Sequence, residues 1–308
     1  MTTATLTPDE VIARIGPWQG RAVRWETLGG GITNANYLVT VEGDDGPEAG
    51  RYVLRIPGEG TDAFIDRTRE LRNHAAAAAT GVTPPLLFQI EPGPCTVVPF
   101  IDGETMHPTS IAGHPDRLDK IVDAMRTYHA GARFENEIRF FEMLRDYQAM
   151  AHDADAPRPA EFDLLERASD EIEAAMSRRE PAPVAAHCDL LSENFILDRD
   201  GKMWIIDWEY AGRTDPCFDL GDFCVEHPFT VAEKEAMIRR YCGELDERLY
   251  YRMLLYEIVC DLWWAVWAMI QSRISKLDFD FYVYGADRAR RACVNAANPD
   301  YRRWLDGV

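Results

Sequence analysis

Asp189, Asn194 and Asp207 are the side chains whose types and spacing suit a reaction. They lie in His187-Cys188-Asp189-Leu190-Leu191-Ser192-Glu193-Asn194 and Ile205-Ile206-Asp207-Trp208-Glu209-Tyr210. Magnesium takes oxygen ligands in near-octahedral geometry and keeps several waters, so Asn194 and Asp207 plus substrate phosphates would complete its shell. Asp189, one loop upstream, would then reach a hydroxyl aimed at the same phosphate. That chemistry is phosphoryl transfer to an alcohol. Singly, each residue is also a common turn former. It is the ordered set that carries the reading.

The elements around them must bring the three together. Phe195-Ile196-Leu197 reads as a strand, Asp198-Arg199-Asp200-Gly201 as a tight turn, and the run ending at Asp207 as the returning strand. A hairpin of that form sets Asn194 and Asp207 side by side. The order of these segments resembles that of protein-kinase-like phosphotransferases. In the first third, Thr7-Pro8-Asp9-Glu10 opens a short capped helix, and Ala22 to Leu28 reads as a strand running into Gly29-Gly30-Gly31. Tyr37 to Val41 follows as a second strand. The glycines are either a flexible hairpin or a loop whose backbone N–H groups cover phosphate, with Gly30, Gly31, Thr33, Asn34 and Asn36 as contacts.

Tyr52-Val53-Leu54-Arg55-Ile56 is a third strand carrying a charge within an apolar alternation, which is costly unless the charge is paired. In the kinase order Arg55 meets the nucleotide phosphates, and Glu70 on the next helix (Ala63 to Ala79) is its partner. Asp66, Arg67, Arg69 and Arg72 compete for that pairing. Thr83 to Phe88 and Cys95 to Phe100 read as a last strand pair. Pro99-Phe100-Ile101 leaves them where a hinge falls and adenine would meet the backbone at Pro99 and Ile101. Residues 1–101 form the smaller lobe on this reading and 102–308 the larger. The expected fold is α+β and bilobal, with a small antiparallel sheet followed by a mainly helical lobe.

That helical lobe is read over Ile111 to Arg133, Phe140 to His152, Asp163 to Arg178, Glu233 to Tyr241 and Glu247 to Arg273. His129 lies on an apolar face and is assigned to the core, and Asp219 to bracing the catalytic loop. The last of these helices is apolar nearly all round, hence buried. It places Glu257, Asp261, Trp264 and Trp267 near one face. That face is either a tryptophan-rich core or a site for an organic cation, bound on aromatic rings and balanced by carboxylates.

The chain as a whole resembles the choline/ethanolamine kinase family, within the wider aminoglycoside-phosphotransferase and protein-kinase-like fold. The resemblance rests on Gly29-Gly30-Gly31-Ile32-Thr33-Asn34, on Tyr52 to Ile56, on the two catalytic segments, and on Trp264-Ala265-Val266-Trp267-Ala268-Met269-Ile270-Gln271-Ser272-Arg273-Ile274-Ser275 with Phe279 and Tyr284. It implies ATP as phosphoryl donor with Mg2+, and a small amino-alcohol, choline first, as acceptor. It also implies a cage of Trp264, Trp267 and Tyr284 around the acceptor's ammonium, with Glu226 as acidic partner. Ethanolamine, thiamine and aminoglycosides are the neighbouring acceptors, and an inactive kinase-fold binding module is the reading of a different class. Dimers are common in the family, so a homodimer is allowed for, but no segment marks an interface.

Composition agrees with this and narrows the partners. The 308 residues are 46% hydrophobic and 28% charged, as in an ordinary globular protein. A formal net charge of −19 argues against nucleic acid or an anionic membrane as partner. Seven scattered cysteines with no C-x-x-C pair read as thiols of a reducing compartment, and the first ten residues carry no basic and apolar leader. Ile258 to Ile270, interrupted by Asp261, is too short to span a bilayer. The expected location is the cytoplasm.

Overall fold

The computed structural model describes residues 6–29, 34–43, 49–58, 65–91 and 94–308. Gly30, Gly31 and Thr33, expected at the phosphates, lie outside the described residues. Helix α1 (Pro8–Ile12) begins with a reciprocal cap, Glu10 N–H on Thr7 Oγ1 and Thr7 N–H on Glu10 Oε2. Strands β1 (Val23–Leu28), β2 (Asn34–Val41) and β3 (Gly50–Pro57) follow, then helix α2 (Arg67–Ala78) and strands β4 (Phe88–Ile90) and β5 (Cys95–Pro99). The five strands form one antiparallel sheet in the order β1-β2-β3-β5-β4. The two-residue period of β3 decides its faces. Tyr52, Leu54 and Ile56 are buried against Val11, Ile15 and Trp18, which leaves Arg55 on the opposite face.

Among the boundaries that differ from the sequence reading, two have a plain local cause. Strand β4 begins only at Phe88, because Pro84 and Pro85 have no N–H to give a ladder. Helix α2 begins at Arg67, where Asp66 caps it by accepting from Thr68 N–H and Arg69 N–H.

The larger part starts with β6 (Gly103–Thr105), α3 (Pro108–Ile111), α4 (Pro115–Gly131), α5 (Phe140–Asp153) and α6 (Phe162–Met176). Next come β7 (Val184–Ala186), the hairpin β8 (Phe195–Asp198) and β9 (Met203–Ile205), and β10 (Gly212–Thr214). Helices α7 (Pro216–Val225), α8 (Val231–Cys242), α9 (Glu247–Ile274), α10 (Phe281–Ala296) and α11 (Tyr301–Gly307) complete it. The hairpin pairs as expected and gains β6 as a third strand, while β10 pairs with β7. A separate apolar core holds this part together, and Ala77 and Val82 from the first hundred residues belong to it.

Helix α9 is the axle of that core. Its 28 residues are buried from Tyr251 to Ile270 on every side, with α7 and α10 against it. It is long and apolar enough to cross a bilayer, longer than the stretch judged from sequence, yet its apolar window is wholly enclosed by protein. The close approach of α7 depends on Gly221. A Cβ there would lie 2.5 Å from Tyr256 Cβ and 3.0 Å from the Met253 carbonyl oxygen. Gly221→Ala is therefore expected to destabilise the protein by about 1–3 kcal/mol in chemical denaturation. A variant as stable as the parent would contradict this packing.

Candidate active site

The loop bearing Asp189 is held from below by one buried carboxylate. Asp219 on α7 accepts from His187 N–H at 2.9 Å, Cys188 N–H at 2.8 Å, Tyr128 Oη–H at 2.5 Å and His129 Nε2–H at 2.9 Å. Burial works to raise the Asp219 carboxyl, but these donors outweigh it and hold it below its usual range. Asp219 therefore braces the loop as read from sequence, and His129 belongs to the core. The His187 ring is neutral. It donates from Nε2 to the Ile206 carbonyl at 2.9 Å and accepts Asp189 N–H at Nδ1 at 3.3 Å, and burial keeps its pKa low. Cys188 (φ 65°) and Asp207 (φ 71°) take left-handed backbone conformations that ordinary residues avoid.

The hairpin does what its sequence predicts. Ile206 N–H binds the Asn194 carbonyl at 2.9 Å, setting Asp207 beside Asn194, whose Nδ2 donates to the Asp189 carbonyl at 2.8 Å. Asn194 Oδ1 has no hydrogen bond among the described residues. Asp189 Oδ1 and Asp207 Oδ1 are buried without a hydrogen-bond donor. Asp207 Oδ1 does lie 3.1 Å from Arg55 Nη1, a charge contact without hydrogen-bond alignment. Burial, then the neighbouring Asp222, Asp207 and Glu226 carboxylates, push the Asp189 carboxyl well above its usual range. The donor set suits Mg2+: a carboxylate oxygen without a hydrogen-bond donor beside a carboxamide oxygen.

Arg55 lies where the kinase order puts it, and Glu70 is its partner at 2.8 Å. The network is wider than the pair. Arg55 also binds Glu209, and Arg67 Nη1 reaches Glu70 Oε2 and Glu209 Oε1, each at 2.8 Å. Oxygens of Glu70, Asp207 and Glu209 lie within 4.8 Å of one another, three carboxylates facing two guanidinium groups. Burial opposes the Arg55 charge, but Asp207, Glu70 and Glu209 outweigh it and raise its pKa. Glu209 and Arg67 carry no role in the sequence reading, although Glu209 stands two residues after Asp207 and Arg67 three before Glu70. Asn34, expected at phosphate, instead donates Nδ2 to Glu209 at 2.5 Å and accepts from Arg67 at 3.1 Å. Asn36 is the cross-strand neighbour of Arg55. Pro99 ends β5 opposite Tyr52, with Ile101 two residues beyond it and half-buried.

On α9, the buried rings of Trp264 and Trp267 meet edge to face at 5.7 Å, and Tyr210 meets Trp264 the same way. The carboxylates there are arranged differently from expectation. Arg288 on α10 lies 4.7 Å over the Tyr284 ring and binds Glu226, with Asp261 Oδ1 at 3.3 Å. Asp261 is fully buried and is also held by Arg291 at 2.6 Å. Glu226 and Asp261 thus already have a resident cation. Its carrier, α10, has no counterpart in the sequence reading.

Comparisons with known proteins identify the family and the fold. The family described as Choline/ethanolamine kinase matches residues 25–239. A choline/ethanolamine kinase family protein from Mesorhizobium loti superposes with a TM-score of 0.84 at 31% identity, over 96% of each chain. The choline kinase LicA from Streptococcus pneumoniae gives a TM-score of 0.74 at 25% identity, over 92% of this chain and 97% of that one. Ethanolamine kinase 2 of Mus musculus is 28% identical over 300 residues, 88% of this chain and 76% of that protein. A kinase-like fold, a loop presenting Asp189 and a family match over most of the chain converge on one statement: the chain belongs to the choline/ethanolamine kinase family, an ATP-dependent phosphotransferase acting on an alcohol.

Proposed function

We propose that the chain moves the γ-phosphoryl group of ATP to the hydroxyl of choline, giving phosphocholine. The observation that carries this reading is the Trp264 and Trp267 ring pair, which Asp222 links to the loop of Asp189 by accepting from Trp264 Nε1–H and Leu190 N–H, together with an Asp189 Oδ1 that has no donor. Ring faces suit a methylated ammonium, which offers no N–H to hydrogen-bond acceptors. Ethanolamine is the second reading and has equal support, since a curated relative is named an ethanolamine kinase. Its ammonium N–H groups need acceptors, which the acidic surroundings of Asp189 supply.

In this reading residues 1–101 hold the nucleotide and 102–308 hold the acceptor. Arg55, fixed by Glu70, neutralises the phosphates, and the adenine lies near Pro99 and Ile101. Asn194 and Asp207 would hold Mg2+, which when bound supplies charge neutralisation on the phosphates. Asp189 orients the acceptor hydroxyl and takes its proton. Its Oδ1, buried with no hydrogen-bond donor, is the atom that would receive that proton. Most of the acceleration then comes from positioning and charge stabilisation. Seven free cysteines support a cytoplasmic setting.

Asp189→Asn keeps the shape of the loop and removes the proton acceptor. Its kcat should fall by roughly two to four orders of magnitude with the ATP KM little changed. Near-normal turnover would sink the assignment of Asp189. Trp264→Ala should raise the choline KM by about three- to thirty-fold, from a cation–π contact worth roughly 0.5–2 kcal/mol, and the ethanolamine KM by less. Equal losses for both acceptors would remove the cage from the account.

A further inference from the structure

Asp222 stands in the middle of α7, 1% exposed, between the catalytic loop and α9. Its two carboxylate oxygens serve different elements. Oδ2 accepts Leu190 N–H at 2.7 Å, and Leu190 directly follows Asp189. Oδ1 accepts Trp264 Nε1–H at 2.8 Å. Glu226, one turn further along α7, is bound by Arg288, and Asp261 by Arg288 and Arg291. Asp222 alone of these three has no cationic side chain in ion-pair contact among the described residues. A buried carboxylate without a counterion is costly. Burial, then Glu226, push its carboxyl up to about 7, as expected of a charge lacking its partner.

We infer that Asp222 is the positioning and charge-matching residue of the acceptor pocket: it ties the Trp264 ring to the backbone beside Asp189 and supplies the negative charge that a cation on that ring answers. The inference rests on the choline reading and deepens it. Two effects follow from one carboxylate. The distance from the ring that holds the ammonium to the group that takes the hydroxyl proton is fixed by two hydrogen bonds rather than by loose packing. A carboxylate on the indole N–H also places negative charge in the ring plane and makes the ring face more attractive to a cation. In a water-poor site that charge acts over several ångströms. Asp222 thereby takes the part that the family resemblance implied for Glu226, whose charge Arg288 already answers.

The test compares choline with its uncharged isostere 3,3-dimethylbutan-1-ol, followed as substrate or as competitive inhibitor, in the parent enzyme and in Asp222→Asn. The variant keeps one acceptor oxygen and loses one of the two hydrogen bonds, so both ligands should weaken, choline by about ten-fold more than the isostere, with the KM for ATP within about two-fold of the parent. A brace with no charge role would move choline and its isostere together, and that parallel shift would overturn the inference, as would no shift at all. Should Asp222→Asn not fold, Trp264→Phe keeps a ring and cuts the link to Asp222. It should narrow the choline-to-isostere preference, and an undiminished preference would overturn the inference. A parent enzyme inactive on choline rejects the acceptor reading itself, and the inference with it. An active parent with an unchanged preference in the variants rejects the inference alone.

Discussion

One buried carboxylate, Asp219, determines whether this protein has a catalytic loop at all. Two consecutive backbone N–H groups, at His187 and Cys188, have lost water and must find acceptors, and Asp219 supplies both. Tyr128 and His129 from α4 complete its shell, so the helix that closes the larger core also fixes the loop. The left-handed turn at Cys188, directly before Asp189, is sustained by this clamp. Asp222, three residues further along the same helix, repeats the device at Leu190. Helix α7 is therefore a ruler laid under the loop, and Gly221 sets how closely that ruler lies on α9.

Around Arg55 the structure works by excess charge instead. Three carboxylates around two arginines keep Arg55 charged and fixed, and in the proposed reading phosphate would meet a guanidinium that needs no reorganisation. The same cluster joins the sheet to the rest of the molecule, since Glu209 follows the β8–β9 hairpin while Arg55 and Arg67 come from β3 and α2. The surroundings of Trp264 are built the opposite way, from rings and carboxylates that Arg288 partly answers, and in the proposed reading a cationic acceptor would answer the rest.

Much of this was legible in the residues. The catalytic loop, the hairpin, the capped first helix and the buried charge of Arg55 have local signatures: turn formers, two-residue alternation, a charge in an apolar strand. The pairing of Arg55 with Glu70 came from the kinase order of segments. The breadth of the Arg55 network was not legible, because several charges on α2 compete and only the fold shows that Arg67 turns inward with Glu70. Strands β6, β7 and β10 are three residues each, too short for any period to appear. Helix α10 escaped notice, and with it Arg288, the residue that changes what Glu226 and Asp261 do. Asp222 was hidden for a simpler reason: its importance lies in which two elements it touches, and no spacing along the chain encodes that.

The measurement that tests the account most directly is magnesium- and ATP-dependent ADP release with choline, ethanolamine, thiamine, homoserine and an aminoglycoside as acceptors. The account predicts turnover with choline as the preferred acceptor, ethanolamine next, and little with the rest. Preference for an acceptor without an ammonium would contradict the ringed pocket, and silence across the panel would contradict the phosphotransfer site itself.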